Sequence, residues 1–189
     1  SKIITYMEIV KSQINQKLFK SIIIIFIGSI LLTLSAKFKI PFYPVPMTMQ
    51  TFVVIFLGIS FGAKIGVTTV SLYLIEGLLG LPVFSNSPEK GIGLIYFTGP
   101  TMGYLIGFLF AVFFASSIKI SDDLFKIIIK IILSVLVIYL LGVIWLGILL
   151  GWDKPIIHLG VTPFLLAESF KISLLILLSK KIVKLRKFI

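Results

Sequence analysis

Two oppositely charged residues stand inside a strongly apolar stretch and are the strongest candidates for chemistry. Glu168 and Lys171 belong to the run VTPFLLAESFKISLLILLS, residues 161–179. A charge at the centre of a membrane helix costs about 2.5 to 3.5 kcal/mol on insertion scales, so two such charges demand a use. Their i, i+3 spacing puts them on one helical face. They either form a self-satisfied ion pair that fixes helix packing, or present an acceptor and a donor to a ligand.

Two more polar residues occupy apolar surroundings. Glu76 lies in YLIEGLLGLP, where it could pair with Lys171 across a bundle or accept a hydrogen bond from a ligand N–H. Gln50, in PMTMQT, can donate and accept at once, so it serves either helix packing or a ligand. We count both as candidate substrate-binding residues.

Other kinds of chemistry lack the residues they need. The chain has no cysteine and a single histidine, His158, so the sequence predicts no metal site, and it also predicts no catalytic residue. The run GPTMGYLIG lacks the Lys-Ser/Thr ending of a phosphate-binding loop, and its Gly103 and Gly107 are better explained as a close-packing row. Asp122 and Asp123 are predicted to form a solvated turn.

The elements that position these residues must be membrane helices. Of 189 residues, 58% are hydrophobic and 13% charged, whereas soluble domains carry about 25% charged residues. A helix needs about 20 residues to cross the hydrocarbon core. Stretches of suitable composition cover residues 18–36, 47–61, 63–81, 94–118, 127–150 and 161–179. The sequence therefore predicts an all-α integral membrane protein, a single transmembrane domain over residues 1–189 with a bundle of about six helices. The short second stretch leaves five or seven crossings open.

The basic residues predict orientation and exclude one class of partner. Lysine and arginine total 18 and the net charge is +11, but these residues lie between apolar runs and at the two ends, not on one face of a polar domain. Nucleic acid is therefore not expected as a partner. Threading six helices places most of them on one side, so residues 1–17 and the basic tail 180–189 are predicted to be cytoplasmic.

Two connections and one helix face complete the pattern. The outer loops 37–46 and 82–100 are rich in proline and glycine, which predicts shaped segments forming a lid over an outward-opening site, with an unstructured connection as the alternative. Ser29, Thr33 and Ala36 form a row of small residues on the first helix, a pattern that allows close approach of another helix in the same bundle or in a separate subunit.

Four motifs together resemble one protein family. They are IPFYPVPMTMQT (40–51), YLIEGLLGLPVF (73–84), TGPTMGYLIGF (98–108) and PFLLAESFK (163–171), and they cover nearly the whole chain. The sequence is similar to the BioY family, the biotin-specific membrane components (S components) of energy-coupling-factor (ECF) vitamin transporters.

The resemblance implies a six-helix bundle that binds biotin from outside and performs no covalent chemistry. It maps a substrate-binding role on Glu168, Lys171, Glu76, Lys90 and Tyr96. With the polar and aromatic residues nearby, the predicted substrate-binding set is Gln50, Glu76, Asn86, Lys90, Tyr96, Tyr104, Glu168 and Lys171.

The resemblance also implies partners. A transmembrane scaffold subunit and two ATPase subunits would supply the energy, the row Ser29, Thr33 and Ala36 would contact the scaffold, and this chain would need no cofactor of its own. The location implied is the cytoplasmic (inner) membrane of a bacterium. Two rival functions are a self-sufficient secondary carrier and an intramembrane enzyme with Glu168 or His158 as base.

Overall fold

The computed structural model describes residues 2–189 and is almost entirely helical. Its helices in chain order are α1 (Lys2–Lys37), α2 (Gln50–Leu78), α3 (Gly93–Phe97), α4 (Met102–Ala115), α5 (Leu124–Leu150), α6 (Ile156–Gly160) and α7 (Leu165–Ile182). Short 3-10 helices precede and follow α7, at Thr162–Phe164 and Val183–Phe188. The two strands, β1 (Lys39–Ile40) and β2 (Met47–Thr48), form one antiparallel ladder between α1 and α2.

Helix α2 is a hairpin of two antiparallel arms, not one rod. Gly62 has φ of 82° and ψ of 179°, outside the helical region, and divides residues 50–61 from residues 63–78. Gln50 Nε2 lies 2.8 Å from Tyr73 Oη, although a continuous helix would separate these residues by about 34 Å. The chain therefore reverses at Gly62, as the predicted boundary between the second and third stretches requires.

Glycines allow α4 and α5 to approach closely. A Cβ atom on Gly107 would lie 2.7 Å from Ile138 Cα, and one on Gly103 would lie 2.9 Å from Gly142 Cα. Only glycine fits such spacing, because a side chain would force the backbones apart. The close-packing role predicted for Gly103 and Gly107 is confirmed.

The predicted membrane bundle is confirmed. Among residues 2–189, four helical stretches are long and apolar enough to cross a membrane by length and composition: Lys2–Lys37, Gln50–Leu78, Leu124–Leu150 and Ile156–Phe188. Helix α4 is a shorter apolar helix. With α2 divided into its two arms, the bundle has six main helical segments.

The two ends of the bundle are built differently. One, which we call the cavity end, holds the connections 38–49 and 79–101 and the helix α6. The other, the turn end, holds Gly62, the connection 116–123 and the 3-10 helix Val183–Phe188. Each end joins distant parts of the chain through charged side chains.

Two lysines, the last residue of α1 and the first residue of β1, hold the second connection at the cavity end. Lys37 Nζ donates to the carbonyls of Phe84 at 2.7 Å and Ser87 at 2.6 Å. Lys39 Nζ donates to the Ser85 carbonyl and to Asn86 Oδ1, the latter at 2.9 Å. The segment 84–87 is therefore fixed to the outer end of α1, and this predicted loop is ordered.

At the turn end, Asp122 and Asp123 each have a defined partner. Asp123 begins α5 as its N-cap, with Oδ1 accepting from the Lys126 amide at 2.8 Å. Asp122 is buried and forms an ion pair with Lys130 at 2.7 Å. The prediction of a solvated turn is wrong for Asp122, because its carboxylate faces α5.

Candidate functional site

A narrow cavity lies at the cavity end, between both outer connections and the helices. Space for water-sized molecules amounts to about 50 Å³. Residues 45–48 form one part of its wall and Phe84 and Ser85 another. Side chains of α2, α3, α4, α5 and α7, together with Thr101 and Phe164, form the rest. The predicted lid is consistent with this arrangement, since both outer connections contribute to the wall.

A network of four side chains occupies one side of this cavity. Glu168 Oε1 accepts three hydrogen bonds: from Thr51 Oγ1 at 2.8 Å, from Tyr139 Oη at 3.0 Å and from Lys171 Nζ at 3.1 Å. Glu168 and Lys171 are 6% and 7% exposed. Their positions on one face of α7 follow from the i, i+3 spacing seen in the sequence.

Lys171 uses its donors within the protein. Besides Glu168, Nζ donates to the Thr48 carbonyl at 2.5 Å and to Thr51 Oγ1 at 3.1 Å. An ammonium group has three N–H donors, so these three bonds account for all of them. Lys171 therefore holds the carboxylate and the segment 48–51 together, and presents no further donor in this arrangement.

The second oxygen of Glu168 is different. Oε2 is buried and has no hydrogen-bond partner among residues 2–189. A buried acceptor without a partner costs roughly 1 to 3 kcal/mol, and more when it is charged. The network is therefore complete except for one acceptor, and a ligand that brings an N–H or O–H donor would complete it.

Aromatic rings form much of the remaining wall. Phe84 and Tyr96 stack with centroids 5.3 Å apart and an interplanar angle of 17°. Tyr104 contacts Tyr139 edge-on at 5.9 Å, and its hydroxyl donates to the Gly160 carbonyl at 2.7 Å. Such a wall suits a flat or apolar ligand whose polar group reaches Glu168.

The structure brings five of the eight predicted substrate-binding residues to the cavity: Gln50, Tyr96, Tyr104, Glu168 and Lys171. Gln50 also serves the packing alternative, because Nε2 donates to Tyr73 Oη at 2.8 Å and to the Leu32 carbonyl at 3.4 Å. Whether these five bind a ligand stays a prediction.

Glu76 lies away from the cavity wall. Its Oε2 accepts from Ser29 Oγ at 2.7 Å, which joins α1 to the second arm of α2. The suggested pairing of Glu76 with Lys171 is wrong, because Lys171 pairs with Glu168. Glu76 is separated from Lys171 because it lies on the face of its helix that packs against α1.

Asn86 and Lys90 belong to the second connection but do not line the cavity. Asn86 accepts a hydrogen bond from Lys39 through its side-chain Oδ1, and its backbone N–H donates to Tyr96 Oη at 3.2 Å. Lys90 is exposed, with Nζ 5.6 Å from the centre of the Tyr43 ring. Through this contact Lys90 links the two outer connections.

The small-residue row on α1 faces inward. Ser29 and Ala36 are 2% and 0% exposed within the chain itself, and Thr33 is half-buried. Ser29 bonds Glu76, and Cβ on the neighbouring Gly28 would meet Thr69 Cγ2 at 2.6 Å. In this structure Ser29 packs against α2 and Ala36 is fully buried within the chain, so the expected scaffold contact is not supported for them.

Sequence reasoning missed Thr51 and Tyr139. Thr51 stands next to the predicted Gln50 in the same motif, and Tyr139 interrupts the aliphatic run VLVIYLLG with a hydroxyl. A lone tyrosine in such a run was the available signal. Nothing in the local sequence indicates that both hydroxyls reach Glu168, 117 and 29 residues away along the chain.

Fold and site together define a helical membrane protein with a small, aromatic-lined cavity and a buried carboxylate at one end. The family model described as BioY matches residues 8–188. The chain belongs to the BioY family.

Relatives and a solved structure agree with this membership. A probable biotin transporter BioY of Pyrococcus horikoshii is 32% identical over 86% of this chain and 94% of its own length. The biotin transporter BioY of Thermotoga maritima is 32% identical over 82% of this chain and 90% of its own length. The crystal structure of the S component for biotin from an ECF-type ABC transporter superposes with a TM-score of 0.71, at 26% identity, over 92% of this chain and 93% of that one.

Proposed function

We propose that this chain is the biotin-binding S component of an ECF-type vitamin transporter, and not an enzyme. The observation that carries the proposal is the unpartnered Oε2 of Glu168 in a site otherwise satisfied. The ureido ring of biotin has two N–H donors, and one of them can complete the network with a charge-assisted bond. The thioether ring and aliphatic chain suit the aromatic wall of Tyr96, Tyr104 and Phe84.

Binding of radiolabelled biotin to the purified protein tests this proposal. In Glu168→Gln, the amide oxygen would replace Oε1, since three donors converge there, and the NH₂ group would stand where Oε2 was. A donor would then face the ureido donor. We expect affinity to fall by about 100-fold or more. Glu8→Gln, on the exposed start of α1, is the matched control and should bind as the wild type does.

Two results would contradict a biotin site. One is the lack of saturable binding by the wild type, and the other is equal competition by unrelated vitamins such as thiamine. Unchanged affinity in Glu168→Gln would remove Glu168 from the site but leave biotin binding itself standing.

The carboxylate end of biotin is assigned to the outer connections. Lys90 is exposed between the two connections that cover the cavity, and its positive charge suits a carboxylate. Lys90→Met should lower the affinity for biotin. The affinity for biotin amide, which has no carboxylate, should stay unchanged. Equal losses for both ligands would contradict this role.

The energising partners form an ECF module, which we propose to comprise a transmembrane scaffold and two ATPases. This chain supplies no phosphate-binding motif, so ATP would be used by those partners. Cells that produce the chain with such a module should accumulate biotin, and an ATPase-inactive module should abolish the uptake. Equal uptake by the chain alone would favour the secondary carrier.

Orientation in the bacterial inner membrane follows the positive-inside rule, with both termini and the turn end cytoplasmic. The chain has no cysteine, so single cysteines can be introduced cleanly. Lys90→Cys should react with a membrane-impermeant thiol reagent in intact cells, and Lys187→Cys only after lysis. The reverse pattern would overturn the orientation.

A further inference from the structure

We infer that Thr51 and Tyr139 are positioning residues of the biotin site, which fix Glu168 so that Oε2 alone is offered to the ureido group. The inference rests on the proposed function. Neither residue needs to contact the ligand for this role, because both act through the carboxylate.

The contacts define the direction of the carboxylate. Thr51 belongs to the first arm of α2, Tyr139 to α5, and Glu168 to α7, so two other helices hold the same oxygen. Together with Lys171, they give Oε1 three donors, which leaves no room for a fourth. Oε2 receives none from residues 2–189.

Without these hydroxyl groups the carboxylate would be less defined. The terminal torsion of a glutamate is broad, so a carboxylate held by Lys171 alone could pivot about it and shift both oxygens. Oε1 would then also have lone pairs free for a ligand donor. The two hydroxyls therefore occupy Oε1, hold the plane of the carboxylate and leave a single free position at Oε2.

The Tyr139 hydroxyl is itself well placed for this task. Its ring lies against Tyr104, edge-on at 5.9 Å, and against Phe164 at 6.2 Å. A ring held on two sides fixes the position of its Oη atom. Thr51, in turn, accepts from Lys171 while donating to Glu168, so its hydroxyl hydrogen has a defined direction.

A single free acceptor has a consequence for specificity. The two ureido N–H groups of biotin become inequivalent, because only one can meet Oε2. Two biotin analogues, each methylated on a different ureido nitrogen, should therefore differ in affinity for the wild type. The analogue that keeps the N–H facing Oε2 should bind at least about tenfold more tightly than the other.

Equilibrium binding of biotin and both methylated analogues to Tyr139→Phe and Thr51→Val tests the inference. Each variant removes one hydroxyl with little change of shape. We expect biotin affinity to fall about tenfold and the preference between the two analogues to shrink toward equality. Thr51→Ser, which keeps the hydroxyl, should restore both values. A general loss of stability would lower the affinities for both analogues equally and leave the ratio of the two affinities unchanged.

Tyr104→Phe is the matched comparison, since it removes a hydroxyl from the same cavity that bonds Gly160 and not Glu168. Its ratio between the analogues should equal that of the wild type, whatever happens to overall affinity. An unchanged ratio in both Tyr139→Phe and Thr51→Val would overturn the inference, as would equal affinities of the two analogues for the wild type. Failure of the wild type to bind biotin at all would instead overturn the proposed function.

Discussion

Both ends of the bundle place charged side chains among distant helices, yet among residues 2–189 only the cavity end leaves an atom of a buried charged group without a hydrogen-bond partner. At the cavity end, Glu168 has one oxygen with three donors and one with none. At the turn end, Arg186 donates to the carbonyls of Ile59 at 2.9 Å, Gly58 at 3.3 Å and Ser116 at 2.9 Å. These carbonyls belong to helix ends, where the helical hydrogen bonds run out.

The difference separates a binding site from a structural contact. Arg186 joins the C-terminal segment to the first arm of α2 and to the end of α4, with its donors facing backbone acceptors that need them. Glu168 is also held from several directions, but its network is one donor short. Burial of a charge therefore says little about function by itself. The number of hydrogen-bond donors and acceptors around that charge is more informative, because it shows whether an atom is left for a ligand.

The largest effect is expected when the cavity network loses its cation. Lys171→Met should destabilise the protein by about 3 to 5 kcal/mol, because Glu168 is left as an unpaired buried charge. Thermal unfolding in detergent measures the change, and Lys180→Met on the exposed end of α7 is the control. The double variant Lys171→Met/Glu168→Gln should regain much of the stability and still fail to bind biotin. A double variant no more stable than the single one would contradict this account.

Loss of the turn-end cation should affect stability alone. Arg186→Met removes three hydrogen bonds made by a charged group and should cost about 1.5 to 3 kcal/mol. Biotin affinity of the folded protein should stay at the wild-type value, and the exposed Lys187→Met should change neither quantity. A large drop in affinity would show that the two ends are not separable in this way.

The turn at Gly62 gives a third comparison. Its φ and ψ lie in a region that is essentially restricted to glycine, so Gly62→Ala should lower the stability of the fold by of order 1 to 3 kcal/mol, measured by thermal unfolding.

Two residues earlier, buried Ser60 Oγ has no partner among residues 2–189. Ser60→Ala should therefore leave thermal stability unchanged or raise it. A destabilised Ser60→Ala would mean that this hydroxyl is satisfied in the membrane.

The smallest effect is expected at Asp122, and it depends on pH. The hydrogen bond from Lys130 lowers the pKa of the Asp122 carboxyl below its usual value of about 3.9. The ion pair therefore stabilises the fold above pH about 3.9, and the stabilisation disappears as pH falls through the lower folded pKa. Thermal unfolding of the wild type and Asp122→Asn should differ near neutral pH and converge in acid. Asp153→Asn, whose pair with Lys154 is exposed, should show no such difference.

The sequence predicted the helices well because apolar length and helix breakers are local properties. The reversal at Gly62 fell at the boundary drawn between residues 61 and 63, and the pairing of Glu168 with Lys171 followed from their spacing on one helix. The predicted stretch 94–118 is divided in the structure into α3 (Gly93–Phe97) and α4 (Met102–Ala115), and the short helix α6 was not predicted, since five residues carry too little periodicity to be read.

Properties that depend on which helix lies next to a residue could not be predicted from the sequence. The row containing Ser29 and Ala36 was recognised as a contact face, but spacing cannot say whether the partner is α2 or another protein. Pairing with Lys171 was one of two alternatives for Glu76, because opposite charges attract, whereas its hydrogen-bond partner is Ser29 on α1. The contacts of Thr51 and Tyr139 with Glu168 could not be predicted, because they depend on how α2, α5 and α7 pack together.

The continuous α1 gives the cavity a mechanical link to the opposite side of the molecule. Its 36 residues make a rod about 54 Å long, and no break interrupts it between Lys2 and Lys37. Two hydrogen bonds from Lys37 at the end of this rod, and two from Lys39 just beyond it, hold segment 84–87, of which Phe84 and Ser85 line the cavity. A tilt of the rod must either carry that wall along or break those bonds, so the orientation of α1 and the position of the cavity wall are coupled.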